Sequence, residues 1–284
     1  MKNNILVVGG DSKIGMSLIN HLDKSRYIVR STTRNKNKVD KKHIYLDLED
    51  ITSFDINNYH YEIVIFCAAV TKGSDCYENR KRVELVNYLN SSKIIVDFAN
   101  KGSFVIVFST GQVFSGANKI ETIESEPNPV SVYGKSKHLL EDSLKSYLDK
   151  MSIIRCSKVI FNKNELLYGW INDLKNNRTI YPFGDVFFAP ISINYLLHIL
   201  EKIISSKNNF GISHISSRGD ITYEFAARYL CEKLKLNKKL IVPKSFKDSD
   251  VDYCPKYSLL KSSFEDLSQP NATDALDYFL FNFV

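Results

Sequence analysis

Short runs of apolar, largely β-branched residues alternate with amphipathic helical patterns along the first part of the chain. The sequence predicts strands at residues 5–8, 27–31, 43–46, 62–69, 104–109, 151–155 and 211–215. We also expect a strand-helix pair that begins at Ile94. Apolar strands of this length that alternate with helices are typical of a parallel sheet with both faces covered. The pattern predicts a doubly wound α/β fold with a ligand crevice at the carboxyl ends of the strands.

A glycine-containing loop joins the first predicted strand to the first helix: Gly9-Gly10-Asp11-Ser12-Lys13-Ile14-Gly15. Backbone amides at a helix N-terminus bind phosphate, and a Rossmann-type fold holds the pyrophosphate of a dinucleotide here. Gly9 permits the tight turn, and Gly15 lets the helix pack close to the sheet. Ser12 stands where the pattern G-x-x-G-x-x-G has its middle glycine, so its side chain crowds the phosphates, although its hydroxyl can donate to them. We predict that this loop binds a dinucleotide cofactor and is more than a plain strand-helix turn.

The end of the second predicted strand reads Ser31-Thr32-Thr33-Arg34 and has no acidic residue. An Asp or Glu there would bind the ribose 2′-hydroxyl of NAD, whereas hydroxyls and a guanidinium suit the 2′-phosphate of NADP. We therefore expect Thr33 and Arg34 to select NADPH, with NAD less favoured; the alternative is a strand that simply runs into a basic loop. Asp47 and Leu48, after the third strand, are placed to meet the adenine.

The pattern changes after residue 157. Helices are expected at 166–174 and 223–234, and a strand at 190–193 precedes a helix with Asn194 as its N-cap. We predict a dinucleotide-binding Rossmann domain made of residues 1–157 plus about 187–215. Residues 158–186 plus 216–284 are expected to form a small C-terminal lobe that binds the substrate.

Three side chains suited to proton transfer follow the fifth strand in the order Thr110, Tyr133, Lys137. Lys137 lies one helical turn beyond Tyr133, so both side chains share a helix face. A phenol has an unperturbed pKa near ~10, and a neighbouring ammonium favours the phenolate and eases proton exchange at neutral pH. The Thr110 hydroxyl can polarise a substrate carbonyl. The set predicts the catalytic residues of a reductase that acts on a ketone.

The spacing Tyr-x-x-x-Lys is weak evidence by itself, because it also occurs at Tyr77/Lys81, Tyr229/Lys233 and Tyr257/Lys261. Tyr133 differs in its context, since a buried-type strand ends upstream and Ser131 is placed as the N-cap of its helix. We expect the other three pairs to lie on solvated helix faces or loops.

The composition argues against several classes of function. The net charge of +6 is mild and its basic residues are scattered, so we expect no nucleic-acid partner. The 5 cysteines form no C-x-x-C pair and the 6 histidines have no metal-ligand spacing, which predicts reduced thiols, no metal site and a cytoplasmic location. No apolar run approaches the ~18 to 20 residues of a membrane span, and a signal peptide has no room before the first strand.

With these residues in place, the chain resembles the extended short-chain dehydrogenase/reductase family, in the branch of the dTDP-4-dehydrorhamnose reductases and related nucleotide-sugar ketoreductases. The shared motifs are the glycine loop, Cys67-Ala68-Ala69, Asn87, Ser109 to Gly116, Tyr133 with Lys137 and Glu141, and Arg155-Cys156-Ser157. The resemblance implies that Tyr133 is the general acid, that Lys137 binds the ribose and tunes it, and that Thr110 contacts the carbonyl. It also implies cofactor contacts by Cys67, Ala68, Ala69, Asn87 and Ser109.

Three further positions depart from the family pattern. Dehydratases of the family have an Asp-Glu pair after the hydroxyl residue, and the rhamnose reductases have Asp-Tyr, but this chain has Gly111-Gln112. Lys158 replaces a Trp that follows the Arg-x-Ser run. The resemblance therefore implies no dehydratase chemistry and a different sugar, with Thr71, Gln112 and Lys158 as substrate-binding residues.

These observations predict an NADPH-dependent oxidoreductase that reduces a keto group on a nucleotide-linked (deoxy)sugar. A nucleotide-sugar epimerase with bound NAD(P) would use the same residues, but the absence of an acid near Arg34 disfavours it. The third hypothesis is a non-catalytic, cofactor-binding regulatory protein. The joint presence of Thr110, Tyr133 and Lys137 disfavours this hypothesis. The resemblance is compatible with a homodimer. No residue specifies the sugar or the nucleotide base.

Overall fold

The computed structural model describes residues 3–22, 24, 26–248, 253–264 and 267–283. Its strands are β1 (Asn3–Val8), β2 (Tyr27–Thr33), β3 (His43–Tyr45), β4 (Ile63–Phe66), β5 (Phe104–Thr110), β6 (Ile120–Glu121), β7 (Met151–Cys156), β8 (Val159–Ile160), β9 (Phe187–Phe188), β10 (Ile191–Ser192), β11 (Ile212–Ile215), β12 (Ile221–Thr222) and β13 (Leu259–Leu260). Within the described residues, seven of these strands form one parallel sheet in the order β11-β7-β5-β4-β1-β2-β3. The doubly wound, Rossmann-type α/β fold is confirmed.

The helices are α1 (Lys13–His21), α2 (Gly73–Glu78), α3 (Arg80–Glu84), α4 (Asn90–Asn100), α5 (Val132–Ser143), α6 (Glu165–Lys175), α7 (Ile193–Ser206), α8 (Tyr223–Lys233) and α9 (Ala272–Phe281). Between α3 and α4 the helix widens into one π-helical stretch, Leu85–Leu89. Residues 80–100 are therefore helical throughout. In the part of the chain that the structure describes, no helix combines the length and the apolar character needed to cross a bilayer.

The described residues fall into two compact units. One unit takes its residues from 1–113, 127–155 and 197–213, and the other from 114–126, 156–196 and 214–284. The core of the first unit consists of apolar side chains from the sheet and its helices, among them Val64, Phe66, Ile95 and Phe98. The assignment of one part of the chain to the cofactor and another to the substrate stays a prediction.

The strand expected at Ile94 is wrong, because Ile94 lies within α4. The run Ile94-Ile95-Val96 is β-branched and therefore resembles a strand. However, the buried residues of α4 are Ser91, Ile94, Ile95, Phe98 and Ala99, and that spacing is one face of a helix. No Gly or Pro interrupts residues 85–100, so burial of this face against the sheet outweighs the strand preference of three residues.

Of the two residues predicted as helix N-caps, one is confirmed and the other is wrong. Ser131 is the N-cap of α5, where its Oγ accepts a hydrogen bond from the Gly134 amide at 2.9 Å. Asn194 is not a cap, because α7 begins one residue before it. Ser192 takes that place instead, and its Oγ accepts from the Tyr195 amide at 3.2 Å. Both Ser and Asn are good N-caps, so composition did not distinguish positions two residues apart.

The second unit has its own apolar core. The helices α6, α8 and α9 contribute Ile171, Leu230 and Phe279, all of which are buried. The ring of Tyr223 stacks on Phe188 with centroids 4.3 Å apart. The pairs β8–β10, β9–β12 and β6–β13 form short two-stranded sheets in this unit. Helix α9 was not expected, because the sequence after residue 241 shows little periodicity.

Candidate active site

The loop after β1 is held in a tight turn by hydrogen bonds. Gly9 has φ +87°, and its amide donates to Thr32 Oγ1 at 2.9 Å. A Cβ atom on Gly9 would lie 2.7 Å from the Ala68 backbone nitrogen, and one on Gly15 would overlap the Gly9 carbonyl oxygen. Both positions therefore require glycine, which leaves the start of α1 and its amides close to the carboxyl end of the sheet.

Ser12 is the N-cap of α1, where its Oγ accepts from the Gly15 amide at 3.0 Å. A glycine in this place would leave that amide without a side-chain acceptor. Because a hydroxyl that accepts one hydrogen bond keeps its own proton, Ser12 can still donate to a phosphate. Its hydroxyl therefore stabilises the helix start and keeps a donor there.

An acidic side chain lies beside the end of β2, although β2 itself ends without one. Thr33 Oγ1 donates to Asp11 Oδ2 at 2.6 Å, and Lys38 Nζ donates to Asp11 Oδ1 at 2.9 Å. Partial burial alone would raise the pKa of Asp11, but the hydrogen bonds from Thr33 and Lys38 and the charges of Lys38 and His43 hold it below its usual value. Asp11 is therefore a carboxylate at neutral pH. This contact was not predicted from the sequence, because Asp11 and Thr33 are 22 residues apart in the chain.

A cavity of ≈ 210 Å³ opens between the glycine loop and the ends of β2, β3 and β4. The expected cofactor residues that line it are Gly9, Asp11, Ser12, Thr33, Arg34, Asp47, Leu48, Ala68 and Ala69. The other residues that line the cavity were not predicted as cofactor-binding residues from the sequence: Val8, Thr32, Leu46, Val70 and Val86. Their signal was weak, because each is an ordinary apolar or hydroxyl residue near the end of a strand or on a helix. The expected cofactor residues outside this wall are Lys13, Ile14, Gly15, Cys67, Asn87, Ser109, Tyr133 and Lys137.

Asn87 is 1% exposed and lies in the π-helical stretch. Its Oδ1 accepts from the Val70 amide at 2.7 Å, and its Nδ2 donates to the Val70 carbonyl at 2.9 Å and to Ser136 Oγ at 3.1 Å. The side-chain amide therefore fixes both backbone groups of Val70, a residue of the cavity wall. It also connects that wall to α5, the helix of Tyr133 and Lys137.

Lys137 is buried in α5, with 2% of its surface exposed. Burial lowers the pKa of its ammonium to about 8, although the charges of Glu141 and Cys67 oppose the shift. The interaction with Cys67 shows that the end of β4 and α5 are close together. Tyr133 is half-buried one turn earlier on α5, and Thr110 Oγ1, at the end of β5, accepts from the Gln112 amide at 3.2 Å.

A buried ion pair lies one turn beyond Lys137 on the same helix. Arg155 Nη2 donates to Glu141 Oε2 at 2.7 Å, and Arg155 Nε lies 3.1 Å from Oε1, so the contact is bidentate. Ser109 Oγ donates to Oε1 of the same carboxylate. Both charged side chains are 3% exposed. The cluster connects β5, α5 and β7, the three elements that hold Thr110, Tyr133 and Lys137 in place.

The expected substrate-binding residues have different surroundings. Gln112 Oε1 accepts from Ser131 Oγ at 2.9 Å, so its side chain is tied to the start of α5. Thr71 is exposed between β4 and α2. Lys158 is exposed in the second unit between β7 and β8. The roles of these three residues stay predictions.

The Tyr229/Lys233 pair on α8 has the solvated setting that was expected of it. Tyr229 OH donates to Asp277 Oδ1 at 2.8 Å, and Lys233 Nζ lies 3.7 Å from the same oxygen with half of its side chain exposed. Its environment therefore differs from that of the buried Lys137. Across the described ranges, no group of three or more His, Cys, Asp or Glu side chains is arranged to hold a metal ion.

The chain matches a protein-family model and is similar to several known proteins. Residues 1–268 match the family model of the RmlD substrate binding domain. The spore coat polysaccharide biosynthesis protein SpsK of Bacillus subtilis is 24% identical over 232 residues, which are 80% of this chain and 78% of SpsK. The dTDP-4-dehydrorhamnose reductase of Escherichia coli is 28% identical over 196 residues, 64% of this chain and 65% of that protein. A crystal structure of the Bacillus anthracis dTDP-4-dehydrorhamnose reductase in complex with NADP has a TM-score of 0.85 at 22% identity and covers 99% of this chain and 98% of its own.

Proposed function

The chain belongs to the RmlD substrate-binding-domain family of NAD(P)-dependent, short-chain dehydrogenase/reductase-type reductases, and from this premise we propose that it uses NADPH to reduce a keto group on a nucleotide-linked (deoxy)sugar. The observation that supports the proposal most directly is the buried Lys137 one turn after Tyr133, in the unit that also holds the glycine-loop cavity. A role on a solvated surface does not explain a buried ammonium one helical turn from a phenol. A role in proton transfer does explain it.

The residues around the cavity fit a dinucleotide. The close contacts at Gly9 and Gly15 place the N-terminus of α1, which attracts a phosphate, near the carboxyl end of the sheet, and Thr33, Arg34 and Lys38 provide donors and positive charge for a 2′-phosphate. Asp47, Leu48, Ala68 and Ala69 form a partly apolar wall suited to an adenosine. When bound, the nicotinamide supplies the hydride that the protein itself lacks.

In the proposed reaction, the Tyr133 phenol gives its proton to the carbonyl oxygen, so that ketone, hydride and proton together become a secondary alcohol. The Lys137 ammonium stabilises the Tyr133 phenolate that remains, and it therefore lowers the free-energy cost of the proton transfer. Thr110 donates a hydrogen bond to the same carbonyl oxygen, where negative charge develops. Thr71, Gln112 and Lys158 are the proposed substrate-binding residues, as the resemblance implies.

We expect the pH dependence of the reaction to follow Lys137. Its cation is present below its pKa of about 8 and is lost as the pH rises through that value. The value of kcat/KM for ketone reduction should therefore fall above pH 8 by up to about tenfold per pH unit. A pH–rate profile would measure this, with circular dichroism at each pH to confirm that the protein stays folded. A profile that is flat to about pH 9.5 would contradict this role of the lysine.

The proposed function itself is tested by a panel of keto-sugar nucleotides incubated with the purified protein and NADPH. We expect net oxidation of NADPH with at least one member of the panel and formation of the corresponding alcohol by mass spectrometry. Isomerisation of a sugar nucleotide without net oxidation would instead identify an epimerase. Tight binding of the coenzyme with no turnover across the panel would identify a regulatory protein.

A further inference from the structure

Asp11 accepts a hydrogen bond from Thr33 at the end of β2, and it lies in the wall of the proposed coenzyme cavity. We propose that Asp11 determines how strongly the protein prefers NADPH over NADH. The inference rests on the proposed function, because it concerns the same coenzyme site. The inference gives the Asp11 carboxylate control over the preference between NADPH and NADH. From the sequence, this preference was expected to depend on the end of β2 alone.

The hydrogen bonds of Asp11 are the basis of the inference. Its two carboxylate oxygens accept from Thr33 Oγ1 at 2.6 Å and from Lys38 Nζ at 2.9 Å. Both donors are groups that would otherwise bind a 2′-phosphate. A 2′-phosphate must therefore compete with Asp11 for them, whereas the 2′-hydroxyl of NADH brings no charge and can itself donate to a carboxylate.

The charges around the cavity point in the same direction. Arg34 faces solvent with 63% of its side chain exposed, and its Nη1 lies 3.5 Å from Glu49 Oε1. Lys38 is paired with Asp11. Arg34 and Lys38 therefore each have a carboxylate beside them, and Glu49 also pairs with Arg82 at 2.8 Å. Removal of the Asp11 carboxylate makes the local charge more positive and so favours the doubly charged 2′-phosphate.

Asp11→Asn is the decisive variant. The amide keeps an oxygen that accepts from Thr33, and it loses the charge and the acceptor for the exposed Lys38, so the loop should retain its fold. We expect the ratio of the dissociation constants, NADH over NADPH, to rise by about tenfold or more at low salt. The measurement is direct titration of each coenzyme by calorimetry or by quenching of protein fluorescence, so turnover is not required.

Asp142→Asn is the matched control. Asp142 is exposed in the same unit, pairs with Lys145 Nζ at 2.6 Å and is not part of the cavity wall. The same loss of charge there should change the ratio by less than about twofold. An unchanged ratio in Asp11→Asn, or an equal change in Asp142→Asn, would overturn the inference while leaving the proposed reductase intact. Failure of the unaltered protein to bind either coenzyme would instead contradict the proposed function, and the inference with it.

Discussion

Replacement of Tyr133 by Phe is expected to lower kcat for ketone reduction by about 10²- to 10⁴-fold, which is the usual contribution of a general acid. The phenylalanine ring keeps the volume and the helix position but has no proton to give to the carbonyl oxygen. The dissociation constant for NADPH should stay within about twofold, because the glycine loop and the cavity wall are unaltered. Single-turnover kinetics and coenzyme titration on the same preparation separate these two effects.

Tyr229→Phe is the control for this experiment. Tyr229 also precedes a lysine by four residues on a helix, but its hydroxyl bonds to Asp277 on the surface of the second unit. Its loss should leave kcat unchanged. Full activity of Tyr133→Phe would remove this phenol from the mechanism, whereas a collapse of coenzyme binding in the same variant would show a structural role instead.

Replacement of Arg155 by Met is expected to cost about 3–5 kcal/mol in the free energy of unfolding, because it removes the guanidinium that is hydrogen-bonded to the buried Glu141 carboxylate. Glu141 is 3% exposed and also accepts from Ser109, so water cannot easily replace the guanidinium. Urea unfolding followed by circular dichroism would measure the loss as a lower midpoint. Activity should fall as well, since the pair anchors α5 beside β5 and β7.

Two further variants test this explanation. Arg178→Met removes an exposed arginine that is paired with Asp173, and such a change should cost no more than about 1 kcal/mol. The double variant Glu141→Leu/Arg155→Met removes both buried charges and should cost less than Arg155→Met alone. A double variant as unstable as the single one would show that the loss comes from packing rather than from an unpaired charge.

Much of the fold could be predicted because burial on both faces of a parallel sheet produces continuous apolar strands. The strands expected near residues 5–8, 27–31 and 104–109 exist as β1, β2 and β5. The error at Ile94 has a physical cause, since a short β-branched run fits a strand or a buried helix face equally well. Only the partner surface distinguishes the two, and no local pattern contains that information.

The candidate site was predicted to a lesser extent. The glycine loop and the Tyr133–Lys137 spacing are local in sequence, so they were visible. The contact between Asp11 and Thr33 joins residues 22 positions apart and supplies an acid where the end of β2 has none. Similarly, the Arg155–Glu141 pair is formed only when β7 and α5 come together, although both residues belong to motifs that the resemblance had already identified.

Because residues 85–89 are π-helical, the orientation of Asn87 depends on the number of residues in this stretch as well as on their identity. An α-helix turns about 100° per residue, so a chain one residue shorter between Glu84 and Asn90 would close the widened turn. The amide of Asn87 would then rotate away from the Val70 backbone that it holds at both ends. Relatives with a gap at this point should therefore lack the clamp even where an asparagine is retained, which gives sequence comparison a criterion that residue identity alone cannot supply.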